Sequence, residues 1–335
     1  MPAATARDAG VAGGRRIFQR DLPSTGRRVR VVSLLASASE IVCALDAGDT
    51  LVGRSHECDN PEWVRALPAC TRPAFDIEAS SRAIDAEVRR RLAAGEPLYH
   101  VDTALIDRLH PDLLVTQVHC DVCSVTPGDL ARSAGAPVRQ SVLALSAGTI
   151  DGIFGDVSRI AGALDRSAEG ERLVARMRER LRAVRASVAG RAPPTLVMME
   201  WTDPVFAMAN WGPELVEIAN GRLLLGEGGR LSHAISWDEV RAADPQVLIV
   251  APCGFSLERS LREAEVLEAL PGWFEMKAVR EGRVVFADGN RYFNRSGTTI
   301  VETAAILAEI LHGDTTAPRW RGTAWSAYAP LSRSQ

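Results

Sequence analysis

The chain has 335 residues, enough for two ordinary domains or one large one, and 46% of them are hydrophobic and 24% charged. A formal net charge of -3 provides no concentrated basic surface, which argues against nucleic acid as a partner. No apolar run approaches the ~18 residues that a membrane span requires, so no membrane insertion is expected.

Residues 1–28 are rich in Ala, Gly, Arg and Ser and are expected to form a flexible tail. Arg15-Arg16-Ile17-Phe18 superficially resembles a twin-arginine export signal. Gln19-Arg20-Asp21-Leu22-Pro23-Ser24 follows where an apolar core belongs, so the expected location is the cytoplasm. There the six cysteines would be reduced thiols or metal ligands and not a disulfide frame.

Val29 to Leu35 is a Val-rich apolar run suited to a buried parallel strand. Ala36-Ser37-Ala38-Ser39-Glu40 then offers hydroxyls to cap a helix whose apolar face is Ile41, Val42 and Leu45, with Gly48 closing it. Strands are predicted at Leu51 to Gly53, Leu98 to Val101, Leu113 to Val118 and Val138 to Leu143, and helices over Ile84 to Ala94, Ala104 to Leu109 and Gly128 to Ala134. From Thr149 to Val188 the pattern turns helical: Ile153, Val157, Ile160 and Leu164 fall at helical spacing, as do Leu173, Val174, Met177, Leu181 and Val184. Asp165-Arg166-Ser167 is expected to interrupt it. A second α/β series follows, with strands at Thr195 to Glu200, Val247 to Val250 and Arg283 to Phe286 and a last helix at Thr298 to Leu311. No period is visible beyond His312.

The halves echo each other. Ser39-Glu40-Ile41-Val42, then Gly48 and Leu51-Val52-Gly53, parallels Pro213-Glu214-Leu215-Val216, then Gly221 and Leu224-Leu225-Gly226. Pro111-Asp112-Leu113-Leu114-Val115 likewise parallels Pro245-Gln246-Val247-Leu248-Ile249. The expected architecture is α/β, with two Rossmann-like lobes joined by a long helical connection around a central cleft. The divisions are a tail at 1–28, an N-terminal lobe at 29–148, a connection at 149–190, a C-terminal lobe at 191–313 and a tail at 314–335.

Ligands of open parallel sheets bind outside the carboxyl ends of the strands. The loops there carry Ser37 and Ser39, His56-Glu57-Cys58-Asp59, and His119-Cys120-Asp121-Val122-Cys123 in the first half. In the second they carry Trp201, Asn210-Trp211, Cys253-Gly254-Phe255 and Arg291-Tyr292-Phe293-Asn294-Arg295. The Cys120-x-x-Cys123 spacing lets two sulfurs turn toward one ion, with His56, Cys58, His119 or Cys253 completing a tetrahedron. A redox dithiol and an inert packed pair stay open as alternatives. Trp201, Trp211 and Phe255 offer flat apolar area, and Arg291 and Arg295 flank a segment suited to a carboxylate-bearing ligand. Arg295 paired with a neighbouring carboxylate is the competing reading. Neither a nucleotide-binding glycine loop nor a Gly-x-Ser-x-Gly elbow is present.

Arg30-Val31-Val32-Ser33-Leu34-Leu35-Ala36-Ser37-Ala38-Ser39-Glu40-Ile41, with Gly53 and His56-Glu57-Cys58-Asp59 after it, resembles the opening of substrate-binding proteins of vitamin B12 and iron-siderophore ABC importers. Pro111 to Leu114, Asp244 to Val247 and the closing Gly289 to Arg295 are similar to that family too, and the resemblance spans about residues 28–313. It implies two α/β lobes, a rigid helical connection and a ligand held between lobes with little hinge motion. His56 to Asp59, Cys120 to Cys123 and Pro252-Cys253-Gly254-Phe255 resemble a cytosolic branch of cobalamin-binding proteins.

The first functional expectation is a cytoplasmic binder of a cobalamin-like, tetrapyrrole or metal-chelate ligand. Ser37, Ser39, His56, Trp201, Trp211, Phe255, Arg291, Tyr292, Asn294 and Arg295 would contact that ligand, with His56 or His119 as an axial metal ligand. The lack of an export signal argues against an ABC importer as partner. The alternative is a metal- or thiol-dependent enzyme in which His56, Cys58, His119, Cys120, Cys123 and Cys253 supply ligands to zinc, iron or an iron–sulfur centre, and Glu57 or Asp59 acts as general base.

Overall fold

The computed structural model describes residues 28–120, 122, 124–134, 140–313 and 319–329. The N-terminal tail up to residue 27, Asp121, Cys123, and the first two residues of the strand expected at 138–143 lie outside the described residues.

In the N-terminal lobe, β1 (Val31–Ser33) leads into α1 (Ala36–Ala44) and β2 (Leu51–Arg54). β3 (Thr71–Pro73), α2 (Ser81–Ala94), β4 (Tyr99–Val101) and α3 (Thr103–Leu109) follow, then β5 (Leu113–Gln117), α4 (Pro127–Ala134) and β6 (Ser141–Leu145). β1, β2, β5 and β6 make one parallel sheet in the order β2-β1-β5-β6. Its strands are nearly continuous Val and Leu because both faces are covered. β4 pairs antiparallel with β3 in a separate ribbon and not in this sheet. The Thr-Arg-Pro of β3 has no alternation to announce it.

α5 (Ile150–Ala163) and α6 (Ser167–Ser187) form the connection, capped at the start by Thr149 and broken by Asp165 in the left-handed region at φ 56°. The expected apolar stripe is buried: Ile153, Val157, Ile160, Leu173, Met177 and Leu181 all face inward.

The C-terminal lobe holds β7 (Thr195–Thr202), β8 (Val205–Ala207), α7 (Gly212–Ile218), β9 (Arg222–Leu223), α8 (Trp237–Ala243) and β10 (Val247–Val250). α9 (Leu257–Arg262), α10 (Ala264–Glu268), α11 (Lys277–Arg280), β11 (Val284–Ala287), α12 (Ile300–His312) and β12 (Trp325–Ala327) complete it. Its parallel strands run β9-β7-β10-β11, the N-terminal order repeated, with the antiparallel β8 and β12 added. The sequence echoes coincide with this repeat, since Ser39 to Val42 lie in α1 and Pro213 to Val216 in α7. Residues 319–329, expected in a tail, instead pack on the lobe. β12 closes the sheet edge, and Glu309 of α12 accepts the Trp320 and Arg321 backbone N–H groups and the Trp325 indole N–H.

One apolar cluster unites Val31, Ile41 and Leu45 of the first lobe with Ile153, Ile160, Leu173 and Met177 of the connection. Leu196, Leu215, Ile300 and Leu307 of the second lobe belong to the same cluster. The lobes are therefore fused along one edge by shared core packing, and a hinge there would have to open close-packed interior.

Candidate functional site

The loops at the carboxyl ends of both parallel sheets face each other, and hydrogen bonds cross between them at three places. At the first, Arg295, which follows β11, donates to Glu40 Oε1 of α1 at 2.8 Å and lies 2.7 Å from Asp59 Oδ1. Arg295 and Glu40 expose only 5% and 1% of their side chains. Burial works against the Arg295 charge, but Glu40 and Asp59 outweigh it and hold its pKa above the ordinary guanidinium value. Asn290 donates to Asp59 Oδ2 at 3.0 Å. Gly297 packs so closely on α1 that a Cβ there would lie 3.0 Å from Ser37 Cβ.

At the second crossing, His119 Nε2 lies 2.6 Å from Asn210 Oδ1, and Glu214 Oε2 of α7 accepts the Ile150 N–H that opens α5, at 2.8 Å. Glu40 and Glu214 are equivalent positions of the internal repeat, and each ties its helix to the loop after the last parallel strand of the other half. At the third, the start of α2 reaches over the second lobe. Ser81 Oγ donates to Glu263 at 2.8 Å, Trp201 Nε1 donates to Ser81 O at 3.2 Å, and Arg259 donates to Glu78 Oε2 at 2.6 Å and Ala79 O at 2.6 Å. Arg82 pairs with Asp203 at 2.7 Å.

His56, Glu57, Cys120, Glu200, Trp201 and Cys253 lie at or just beyond the carboxyl ends of β2, β5, β7 and β10 and are all partly exposed. His56 Nδ1 is 2.8 Å from Thr71 Oγ1 and its ring lies 5.4 Å from that of Tyr99. Burial, helped by nearby Arg54, pulls its pKa down to about 4, so the imidazole is neutral at physiological pH. Glu57 keeps 33% of its side chain open, yet burial pushes its pKa up to about 7 against the pull of Arg295. Burial does the same to Glu200, also to about 7, with the nearby Ser232 hydroxyl and Ala209 backbone opposing and Cys120 adding to the rise.

Several expected ligand contacts are spent elsewhere. Ser37 and Ser39 do not cap α1, whose N-cap is Leu35; both are buried inside it, Ser37 under Gly297 and Ser39 against Cys58. Trp211 is buried in the shared core. Tyr292 is buried with its ring 5.6 Å from that of Trp320. Asn294 donates to Ala251 O and Gly289 O and so ties the loops after β10 and β11 together. Phe255 is buried between the Trp201 ring and the Arg259 guanidinium. Arg291 is exposed, 3.4 Å from Asn60 Oδ1. Arg295, consumed by two carboxylates, is not free to meet a ligand.

Among the described residues no group of three or more His, Cys, Asp or Glu side chains is placed to hold an ion; Cys123 of the expected set lies outside them. Cys58 is buried against Ser55 Oγ at 3.4 Å, and burial holds its thiol pKa above the usual value. Asp59 is committed to Arg295 and Asn290, which removes it as a free base. Sequence reasoning missed Glu40 and Glu200. The repeat of Glu40 with Glu214 was the one signal for the first, and Glu200 lay hidden at the end of a predicted strand.

A shallow groove of about 620 Å³ lies elsewhere, between α5 and α6, lined by Asp151, Phe154, Ser158, Val174, Arg178 and Arg182. Its Arg178 pairs with Asp151 at 3.4 Å and lies over the Phe154 ring.

Substituting Glu57 by Gln separates its charge from its shape. A carboxyl with a raised folded pKa contributes stability that is fully present below the unfolded value and lost as the pH rises through about 7. The amide cannot ionise. The variant is expected to match the parent in urea denaturation at pH 4 and to exceed it by about 1 kcal/mol at pH 8, a figure reduced for partial solvent screening.

Comparison with known proteins agrees with the architecture. A periplasmic heme binding protein from Pseudomonas aeruginosa superposes with a TM-score of 0.67 at 19% identity, over 91% of this chain and 99% of that one. The periplasmic vitamin B12 binding protein of Vibrio cholerae superposes with a TM-score of 0.60 at 18% identity, over 85% and 96%. A curated relative, a 5-oxoprolinase subunit from Paracidovorax citrulli (strain AAC00-1), is 29% identical over 164 residues, 46% of this chain. The match covers 65% of that relative, just under two-thirds of its length. The sequence profile of periplasmic binding proteins matches residues 31–290. The chain belongs to the periplasmic binding protein family.

Proposed function

We propose that this chain is a cytoplasmic binding protein that holds a cobalamin-like, tetrapyrrole or other metal-chelate ligand between its lobes. The observation that carries this reading is the pairing of two repeated sheets whose carboxyl-end loops meet in interlobe hydrogen bonds, with His56, Glu57, Cys120, Glu200 and Trp201 partly exposed at those strand ends. The structural likeness to heme- and vitamin B12-binding proteins supports the ligand class. His56 is the better placed of the two histidines to ligate a metal, because Thr71 engages its Nδ1 while its Nε2 has no hydrogen-bond partner among the described residues and lies 4.0 Å from Glu57 Oε1. His119 Nε2 is already engaged by Asn210.

Titration with cyanocobalamin and with hemin tests the reading. One of them is expected to bind with a shift in its visible spectrum, and Trp201→Ala is expected to weaken that binding about tenfold or more through lost aromatic contact. No spectral or calorimetric signal from either at about 50 µM, equivalent to binding weaker than about 6 kcal/mol, would overturn it. Cell fractionation that recovers the protein outside the cytoplasm would overturn the location.

A further inference from the structure

We propose that residues 76–82 form a latch on the interlobe gap, and that its opening governs how fast a ligand enters and leaves. This rests on the binding reading above, which supplies the site; the latch sets the rate of exchange and not the affinity.

The two halves are joined on both faces of their sheets. The shared core lies against one face of each sheet, through Val31 and Val115 in the first lobe and Leu196 and Met198 in the second. The other faces carry separate cores. Val32 and Leu114 cluster with Tyr99, with Phe75 packed against them, and Val197 and Leu248 cluster with Ala264 and Leu267. Residues 76–82 connect the first of these outer cores to the second. The chain leaves β3 where the Ala74 N–H donates to Leu98 O at 2.9 Å, and it enters the first turn of α2 at Ser81.

There Ser81 Oγ donates to Glu263 Oε2 at 2.8 Å, beside the start of α10, and Arg259 of α9 donates to Glu78 and to Ala79 O at 2.6 Å each. The latch adjoins the site at both ends. Trp201, itself a site residue, donates its indole N–H to Ser81 O. Tyr99, opposite Pro73 in the β3–β4 ribbon, has its ring 5.4 Å from that of His56.

Magnitudes decide which joint opens. Parting the lobes at the shared core would break close-packed interior, and parting them at Arg295 would strip a buried guanidinium from a buried carboxylate. The latch is held more weakly. Ile77 is 46% exposed, and Glu78 and Arg82 leave 73% and 80% of their side chains in solvent, where an ion pair contributes little. Glu263 is buried, held by the Ser81 and Thr202 hydroxyls, and no basic group among the described residues pairs with it. Releasing Ser81 lets water reach that carboxylate, which offsets the lost bond. Lobes that cannot hinge therefore still exchange ligand, through a segment that opens locally.

The test is the Glu78→Ala, Ser81→Ala, Arg82→Ala triple variant against the parent, with circular dichroism to establish folding and stopped-flow absorbance to follow hemin and cyanocobalamin. A latch that closes equally well on the free and the loaded protein scales both rates alike. Association and dissociation are both expected to rise about tenfold or more, with Kd held within about threefold. Dissociation that rises alone, as a lost ligand contact would cause, or rates that do not change, would overturn the latch and leave the binding reading standing. Solvent exchange of the Trp201 indole N–H, assigned by its loss in Trp201→Phe, reads the latch without any ligand. It is expected to speed up about tenfold in the variant, while the Trp325 indole N–H, bonded to Glu309, keeps its parental rate. Equal acceleration at both indoles, or none at Trp201, would overturn the latch. Should the triple variant not fold, Glu78→Ala with Arg82→Ala is judged by the same readouts, with an expected rise of about threefold. Failure of both probes to bind the parent would overturn the binding reading, and indole exchange would then decide the latch by itself.

Discussion

Replacing Arg295 by Met is expected to lower the unfolding free energy by about 3–5 kcal/mol in urea denaturation. The guanidinium is buried between Glu40 and Asp59, and removing it leaves the buried Glu40 without a cation and the partly exposed Asp59 with only the distant Arg65, at 3.6 Å. That stranded charge is the source of the cost, more than the loss of two ion pairs. Restoring neutrality with Glu40→Gln and Asp59→Asn in the same chain is therefore expected to recover most of the loss. Arg291→Ala, four residues away and exposed, is expected to change stability by less than about 0.5 kcal/mol. A loss below about 1 kcal/mol in Arg295→Met would show that the interlobe triad contributes little to holding the halves together.

The second large effect belongs to the outer core of the C-terminal lobe. Trp273 is fully buried, with ring centroids of Trp237 and Tyr328 at 6.1 Å and 5.8 Å. Trp273→Ala removes the largest side chain of that cluster and leaves a cavity whose walls are rings held by their own neighbours and unable to collapse. The expected cost is about 3–5 kcal/mol in denaturant unfolding. The adjacent Phe274 is 43% exposed, and Phe274→Ala is expected to cost under about 1 kcal/mol. Equal losses at the two positions would contradict the burial pattern on which the lobe's core is drawn.

What the sequence disclosed and what it concealed follow from how each feature is encoded. β1, β5, β7 and β10 are buried on both faces and so appear as unbroken Val, Leu, Ile and Met runs. The spacing of Ile153, Val157 and Ile160 marks the connection for an equally local reason. β12 is only Trp-Ser-Ala, an edge strand whose pairing is determined by β11 some forty residues earlier, and no period can reveal three residues.

The site is legible as a set of loops but not as a set of roles. His56, Glu57 and Cys120 lie in the loops just after β2 and β5, whereas Trp201, expected beyond a strand, lies within the end of β7. The fate of Arg295 depends on Glu40, 255 positions away, and a single chain carries no local mark of such a pairing. Ser37 and Ser39 misled because hydroxyls near a helix start suggest capping, whereas the helix begins one residue before Ser37 and carries both serines into its buried face. Tyr292 misled through its neighbours: a ring between Arg291 and Asn294 reads as a ligand contact, and only the packing of Trp320, from beyond the last helix, shows which way it turns.

Hydrogen–deuterium exchange with and without a saturating macrocycle measures most directly where the ligand sits. Slower exchange is expected together in residues 55–60, 117–120, 200–211, 252–256 and 288–295, on both sides of the gap. The α5–α6 groove around Asp151, Phe154 and Arg178 should stay unchanged. Protection confined to that groove, or to one lobe alone, would contradict a ligand held between the two halves.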